Sequence, residues 1–283
     1  MNPLNTTATS RLGRILLAVM ASGYLLIGPI SVAAETTGNR AISNPPATIL
    51  VTGANRGIGL ALARTFHQHG FSVIATARQP NQALQLKAIG VETLQLDITD
   101  PASITALKSE LTGRPIDILL NNAGIKGHSA TALDDLDIEQ LKTTFDVNSL
   151  GALRVIQALM PNLKIGAQKT VVNMSSRMGS IADNTGGAIG YRASKAALNN
   201  FNKSLSIEFS EQDFVFVVLH PGWVRTDMTS DRATYSTDES AKALFELITE
   251  LSQDDNGRFY DLLQPLKHLT DTWTEYSVQC TGP

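Results

Sequence analysis

From Ala47 onward, six apolar runs of strand length recur, each ending in small or polar residues: ATILVTG, FSVIATA, VETLQLD, PIDILLNNAG, KTVVNMSS and FVFVVLHPG. Runs that are apolar at both alternating positions suit strands buried on both faces, as in a parallel sheet covered by helices. Between them, GLALARTFHQHG, ASITALKSELTG, IEQLKTTFDVNSLGALRVIQALM and YRASKAALNNFNKSLSIEF repeat their apolar residues at helical spacing. This strand–helix alternation predicts a doubly wound α/β fold on a parallel sheet, in a single domain. The 283 residues, 43% of them hydrophobic, are enough to build its core. Ligands of such sheets bind beyond the carboxyl ends of the strands, near the switch point. The polar tails of the six runs are therefore where a site is sought.

The first run ends in TGANRGIG, residues 52 to 59, and a helical pattern follows at once. Gly53, Gly57 and Gly59, with Ile58 between the last two, allow a sharp turn and bring backbone N–H groups at a helix start close to phosphate oxygens. A tight strand-to-helix turn is the alternative, but the position after the first strand favours a dinucleotide. An NAD site usually offers an acidic residue about 20 positions beyond the glycines. Between Gly53 and Val91 there is no acidic residue, the second run ends at Arg78, and Arg56 lies inside the loop. Two guanidinium groups suit a 2′-phosphate, so NADP(H) is expected over NAD(H). Asp97 and Ile98 end the third run, and Asn121, Asn122, Ala123 and Gly124 end the fourth, where a flat segment lets backbone lie against an adenosine. Ordinary turn chemistry is the alternative for both.

The fifth run delivers Ser175 and Ser176, and Tyr191 follows Ser176 by fifteen residues. Tyr191 and Lys195, four positions apart in YRASK, share one helix face about a turn apart. Alone, that spacing describes many helix turns. In the order TGANRGIG, NNAG, DVNSLG, SS, YRASK and HPGWVRTDM, the chain resembles the short-chain dehydrogenase/reductase family, over about residues 47 to 262. NMSSRMGSI, the GG before YRASK and DDNGRFYD look most like its branch of C-factor and sniffer-type carbonyl reductases.

The resemblance implies a Rossmann-type fold, a homo-oligomer (dimer or tetramer) and a catalytic tetrad of Asn148, Ser176, Tyr191 and Lys195. Tyr191 would protonate a carbonyl oxygen as hydride arrives at carbon. A free phenol titrates near pH 10, and cationic Lys195 is expected to lower it. Lys195 would also bond the nicotinamide ribose, Ser176 would bond the substrate oxygen, and Asn148 would hold a water on the proton path. Ser175 is expected to point to the opposite face of the strand. Pro221 and Gly222 turn the chain beyond the sixth run, where Thr226 and the backbone at Val224 would fix the carboxamide. His220 is read as structural. The implied activity is reduction of small aldehydes or ketones with NADPH, or the reverse oxidation of an alcohol. A dinucleotide-binding signalling or regulatory protein is the alternative.

Net charge is −3 and no Lys/Arg run forms a patch, so nucleic acid is not an expected partner. The single cysteine, Cys280, excludes an internal disulfide, and the five histidines lack partners at metal-ligand spacing, so no metal is expected. Arg11 and Arg14 precede the apolar stretch ILLAVMASGYLLIGPISV, and small residues follow. Residues 1–34 read as a signal peptide or membrane anchor, the only expected membrane contact, unless the start is mis-assigned. Residues 35–46 read as a linker, and 47–283 as the NADP-binding catalytic domain. Export or membrane attachment follows from the N-terminal segment. A cytoplasmic location is the alternative, because NADPH is made inside cells.

Overall fold

In the computed structural model, which describes residues 45–127 and 132–262, all six apolar runs contain strands. They are β1 (Thr48–Val51), β2 (Ser72–Ala77), β3 (Glu92–Gln95), β4 (Ile118–Asn121), β5 (Thr170–Met174) and β6 (Val215–His220). With β7 (Phe259–Asp261) they form, among the described residues, a seven-stranded sheet of order β3-β2-β1-β4-β5-β6-β7, parallel at every pairing. The strand order reverses between β1 and β4, which opens a crevice at their carboxyl ends.

Because successive strand side chains alternate between faces, the apolar runs supply two cores. On one face Val51, Ala75, Leu120, Val172 and Val217 meet Leu62 and Phe66 of α1 (Gly57–Gln68). Leu86 of α2 (Leu84–Ile89) packs on the same face. On the other, Leu50, Ile74, Leu119, Val171 and Phe216 meet Leu107 of α3 (Pro101–Glu110). Burying each such large side chain contributes about 1.5–3 kcal/mol. α6 (Ile189–Glu208) lies on this second face, where Leu205 packs against the cluster. α7 (Thr237–Glu250) closes the first face, and Phe245 meets Phe66 edge-on at 4.9 Å between ring centroids.

The continuous helix expected over residues 138–160 is interrupted. α4 (Ile138–Phe145) and α5 (Gly151–Lys164) are joined by one π-helical turn, Asp146–Leu150, carrying Asn148 and Ser149. Tertiary hydrogen bonds to those two side chains hold the wider turn, and the periodicity of the sequence does not register it. Neither α2 nor β7 was expected: six and three residues are too short for a periodic signal. The expectations for residues 1–34, for the linker up to Asn44 and for Cys280 lie outside the described residues.

Candidate active site

The crevice is built on glycine. Gly53 and Gly57 have φ of 63° and 56°, left-handed conformations that favour glycine. A Cβ on Gly53 would lie 3.0 Å from Ala123 Cα, and one on Gly59 would meet Asn122 Nδ2 at 2.4 Å and Gly53 O at 2.5 Å. The loop and the NAG segment therefore pack backbone to backbone. Asn122 Nδ2 donates to Thr52 O (3.0 Å) and Gly53 O (3.1 Å), while Thr52 Oγ1 accepts from Asn122 N and Ala123 N. Side chains cap α3, α4 and α7, but none caps α1. Its first N–H groups stay open to an anion beside the cradle.

A cleft of about 2180 Å³ extends from this cradle past Arg78, Asp97 and Ile98 on one side to Tyr191, Lys195 and Thr226 on the other. Typical small-ligand pockets hold about 300–1,000 Å³, so an extended ligand fits here. Ile58 and Pro221 are also in its wall. Arg78 is exposed and makes no ion pair among the described residues. Two hydrogen bonds from Thr99 hold the Asp97 carboxyl below the usual carboxylate range, and the charge of Arg78 adds to them. Arg56, expected beside Arg78, instead pairs with Asp227 at 3.0 Å across the cleft mouth.

Three further residues depart from expectation. Asn121, the last residue of β4, turns away from the cleft, and its Nδ2 donates to Asn173 Oδ1 at 2.9 Å inside the protein. Beyond the strand end, Asn122, Ala123 and Gly124 line the cleft. Gly222 (φ 86°) and buried Val224 do not line the cleft either. The chain there pairs with Tyr235, and the Val224 carbonyl accepts from Thr229 Oγ1.

α6 carries Tyr191 and Lys195 to the cleft, whose wall also holds Ser175; Ser176, two residues beyond β5, lies outside that wall, where its hydroxyl accepts from Met178 N and hydrogen-bonds the Tyr191 phenol. Ser175 Oγ donates to Asn199 Oδ1 at 2.5 Å. Lys195 Nζ donates to Met174 O at 2.8 Å and lies 5.8 Å from the Tyr191 ring centroid. Burial pushes the phenol up, and it is the Ser176 hydrogen bond that pulls it back. Burial also brings the Lys195 amine down to about 8. A Cβ on Gly124 would stand 3.7 Å from Lys195 Nζ, so the NAG segment ends against the amine.

Asn148 is buried in the π turn. Its Oδ1 accepts from Ile125 N (2.8 Å), and its Nδ2 donates to Ile125 O (2.8 Å) and Ser194 Oγ (3.1 Å). Both amide N–H groups are engaged, so the side chain ties the end of the NAG segment to α6 and offers a water no donor. Burial lowers the pKa of His220, against the raising effect of Asp261. Its Nδ1 has no partner among the described residues. Sequence reasoning missed Asn173, Asn199, Asn202 and Asp227. Asn199 and Asn202 do carry a signal, since they stand four and seven positions after Lys195 on the same helix face.

Comparison with known proteins agrees with this geometry. Residues 47–236 match the family model for short chain dehydrogenases. The chain is 46% identical over 148 residues to the C-signal protein of Myxococcus xanthus, spanning 52% of this chain and 89% of that one. It is 36% identical to a 1-hydroxy-2-glutathionyl-2-methyl-3-butene dehydrogenase of Rhodococcus, over 75% of this chain and 95% of the relative. Among solved structures, the carbonyl reductase Sniffer of D. melanogaster superposes with a TM-score of 0.72 at 31% identity, covering 76% of this chain and 96% of that one. An NADPH-bound carbonyl reductase from chicken fatty liver gives 0.69 at 34%, covering 76% and 91%. The chain belongs to the short-chain dehydrogenase/reductase family, in the sniffer and C-factor-like branch.

Proposed function

We propose that this protein reduces aldehydes or ketones with NADPH. The observation that carries the reading is the meeting of the Tyr191 phenol, the Ser176 hydroxyl and the Lys195 amine beside a glycine-built cleft whose far wall holds Arg78, exposed and without an ion pair among the described residues. The NADPH-bound chicken relative supports the choice of cofactor. The residues fit such a group: the cradle between Gly53, Gly59 and Ala123 leaves no room for a Cβ, and the start of α1 lacks a side-chain cap. Gly53, Gly57 and the first turn of α1 would hold the pyrophosphate, and Arg78 the 2′-phosphate. Asp97 and Ile98 would flank the adenosine, Lys195 the nicotinamide-side ribose, and Pro221 and Thr226 the carboxamide. When bound, the dinucleotide supplies the hydride that the carbonyl carbon accepts.

Tyr191 hands its proton to the carbonyl oxygen as negative charge develops there, and Ser176 donates a second hydrogen bond to the same oxygen. With a midpoint of about 8, Lys195 is mostly charged at neutral pH and stabilises the phenolate left behind. A panel of aldehydes and ketones, followed by loss of NADPH absorbance, tests the reading. Tyr191→Phe should lower kcat by about 10²–10⁴-fold and leave NADPH binding intact. The 46% identity to a C-signal protein favours a second reading, a dinucleotide-binding signalling protein in which turnover is incidental. Tight NADPH binding without turnover across the panel would select it.

A further inference from the structure

The face of α6 that carries Lys195 is polar where it meets the sheet. Lys195, Asn199, Asn202 and Ser206 follow one another at intervals of four, three and four residues, which places them in one stripe. Each of the first three is bonded to β5 or to the residue after it: Lys195 Nζ to Met174 O (2.8 Å), Asn199 Oδ1 to Ser175 Oγ (2.5 Å) and Asn202 Oδ1 to Asn173 Nδ2 (2.9 Å). From Asn173 the contact continues to Asn121 Nδ2 (2.9 Å), the residue next to the one that holds the glycine loop. At the other end Asn202 Nδ2 donates to Phe216 O at 3.3 Å.

The polarity of this chain of amides is set at one end. A backbone carbonyl only accepts, so Asn202 must turn its N–H₂ to Phe216 and its oxygen to Asn173, and Asn173 must then turn its oxygen to Asn121. Asn121 Oδ1 is left buried with no partner among the described residues. An unpaired buried acceptor is destabilising, so stability alone would favour an apolar seam. The amides do what apolar packing does not. Hydrogen bonds fail within a few tenths of an ångström beyond about 3.2 Å, whereas a helix sliding by one residue moves about 1.5 Å. The seam therefore fixes the axial position of α6 far more tightly than non-directional contacts would.

We propose that Asn173 and Asn202 are positioning residues that set the height of Tyr191 and Lys195 against the strand ends forming the nucleotide cleft. The proposal rests on the reading of Tyr191 as proton donor, but its test includes a readout independent of turnover. The variants are Asn202→Leu, and the double change Asn173→Val with Asn202→Leu, which replaces both partners by apolar groups. The first readout is the NMR titration of Lys195 in lysine-labelled protein without nucleotide, with the resonance assigned by its loss in Lys195→Met. The wild-type midpoint is expected at about 8, where full burial holds it. In a variant that still melts cooperatively near the wild-type temperature, it should rise by about one pH unit or more as the amine leaves its buried seat. The second readout is a tenfold or larger fall in kcat that exceeds the accompanying weakening of NADPH through the displaced Lys195, as expected for loss of alignment rather than of binding alone. A folded variant with an unchanged Lys195 midpoint and unchanged kcat overturns the proposal. Failure of both variants to fold also overturns it, because the seam would then be a requirement of folding. If the wild type turns over no carbonyl compound, the functional reading fails and the lysine titration alone decides the positioning.

Discussion

Replacing Lys195 by methionine should stabilise the protein more at pH 7 than at pH 10. Lys195 is 5% exposed as a residue, and burial lowers the midpoint of its amine from 10.5 to about 8. Between those values the unfolded chain binds more protons at this residue than the folded one, so stability rises with pH across that window. Below pH 8 the burial penalty is present in full. The gap between 10.5 and about 8 corresponds to roughly 3 kcal/mol at pH 7, of which roughly 1 kcal/mol remains at pH 10. Methionine removes the charge and keeps most of the volume. It also leaves the Met174 carbonyl without its donor, a loss of about 1–3 kcal/mol that applies at both pH values. The difference in unfolding free energy between variant and wild type should therefore favour the variant by roughly 2 kcal/mol more at pH 7 than at pH 10. Urea denaturation of both chains at the two pH values measures it, and other titrating groups cancel in the comparison. Equal differences at both pH values would refute the claim that Lys195 is held charged against a desolvation penalty.

Arg78→Asp should weaken NADPH binding roughly ten- to a hundredfold, the worth of about 1.5–3 kcal/mol for a charge-assisted bond, while NADH binding holds or improves. Fluorescence titration with both nucleotides checks it, and equal use of the two by the wild type would remove Arg78 from the phosphate site. Asp227→Asn breaks an exposed ion pair and should change stability by less than about 1 kcal/mol. It should free Arg56 and tighten NADPH with a steeper salt dependence, and unchanged affinity at low salt would leave Arg56 outside the site. For the N-terminal segment we propose export or membrane attachment. In N-terminal sequencing of protein isolated from its source, a start at Glu35 would show a cleaved signal and a full-length chain in the membrane fraction an anchor, whereas full-length chain in the soluble cytosolic fraction would refute the proposal.

The architecture was legible because its cause is local and repeated. Apolar runs such as ATILV and FVFVVL have no polar face, so they had to be buried on both sides, while ETLQ of the edge strand β3 exposes Glu92 and Gln95, and the glycines of TGANRGIG have no function in a strand or helix interior. The absence of acidic residues between Gly53 and Val91, and the order of motifs through YRASK, likewise lie in the chain itself. What a polar side chain touches is not local. Asn121 and Asn122 are adjacent and chemically identical. Strand alternation sends one into the amide seam and the other to the glycine loop, and only the pairing of β4 with β5 decides what the first one meets. The π turn at Asn148, the pairing of Arg56 with Asp227 171 positions away and the seating of Lys195 on Met174 O arise in the same way, from contacts between distant segments. Residue type and spacing determined which chemistry this chain carries. The tertiary structure decided the proton affinity and the partner of each group, because desolvation and hydrogen-bond geometry exist only once the helices are seated on the sheet.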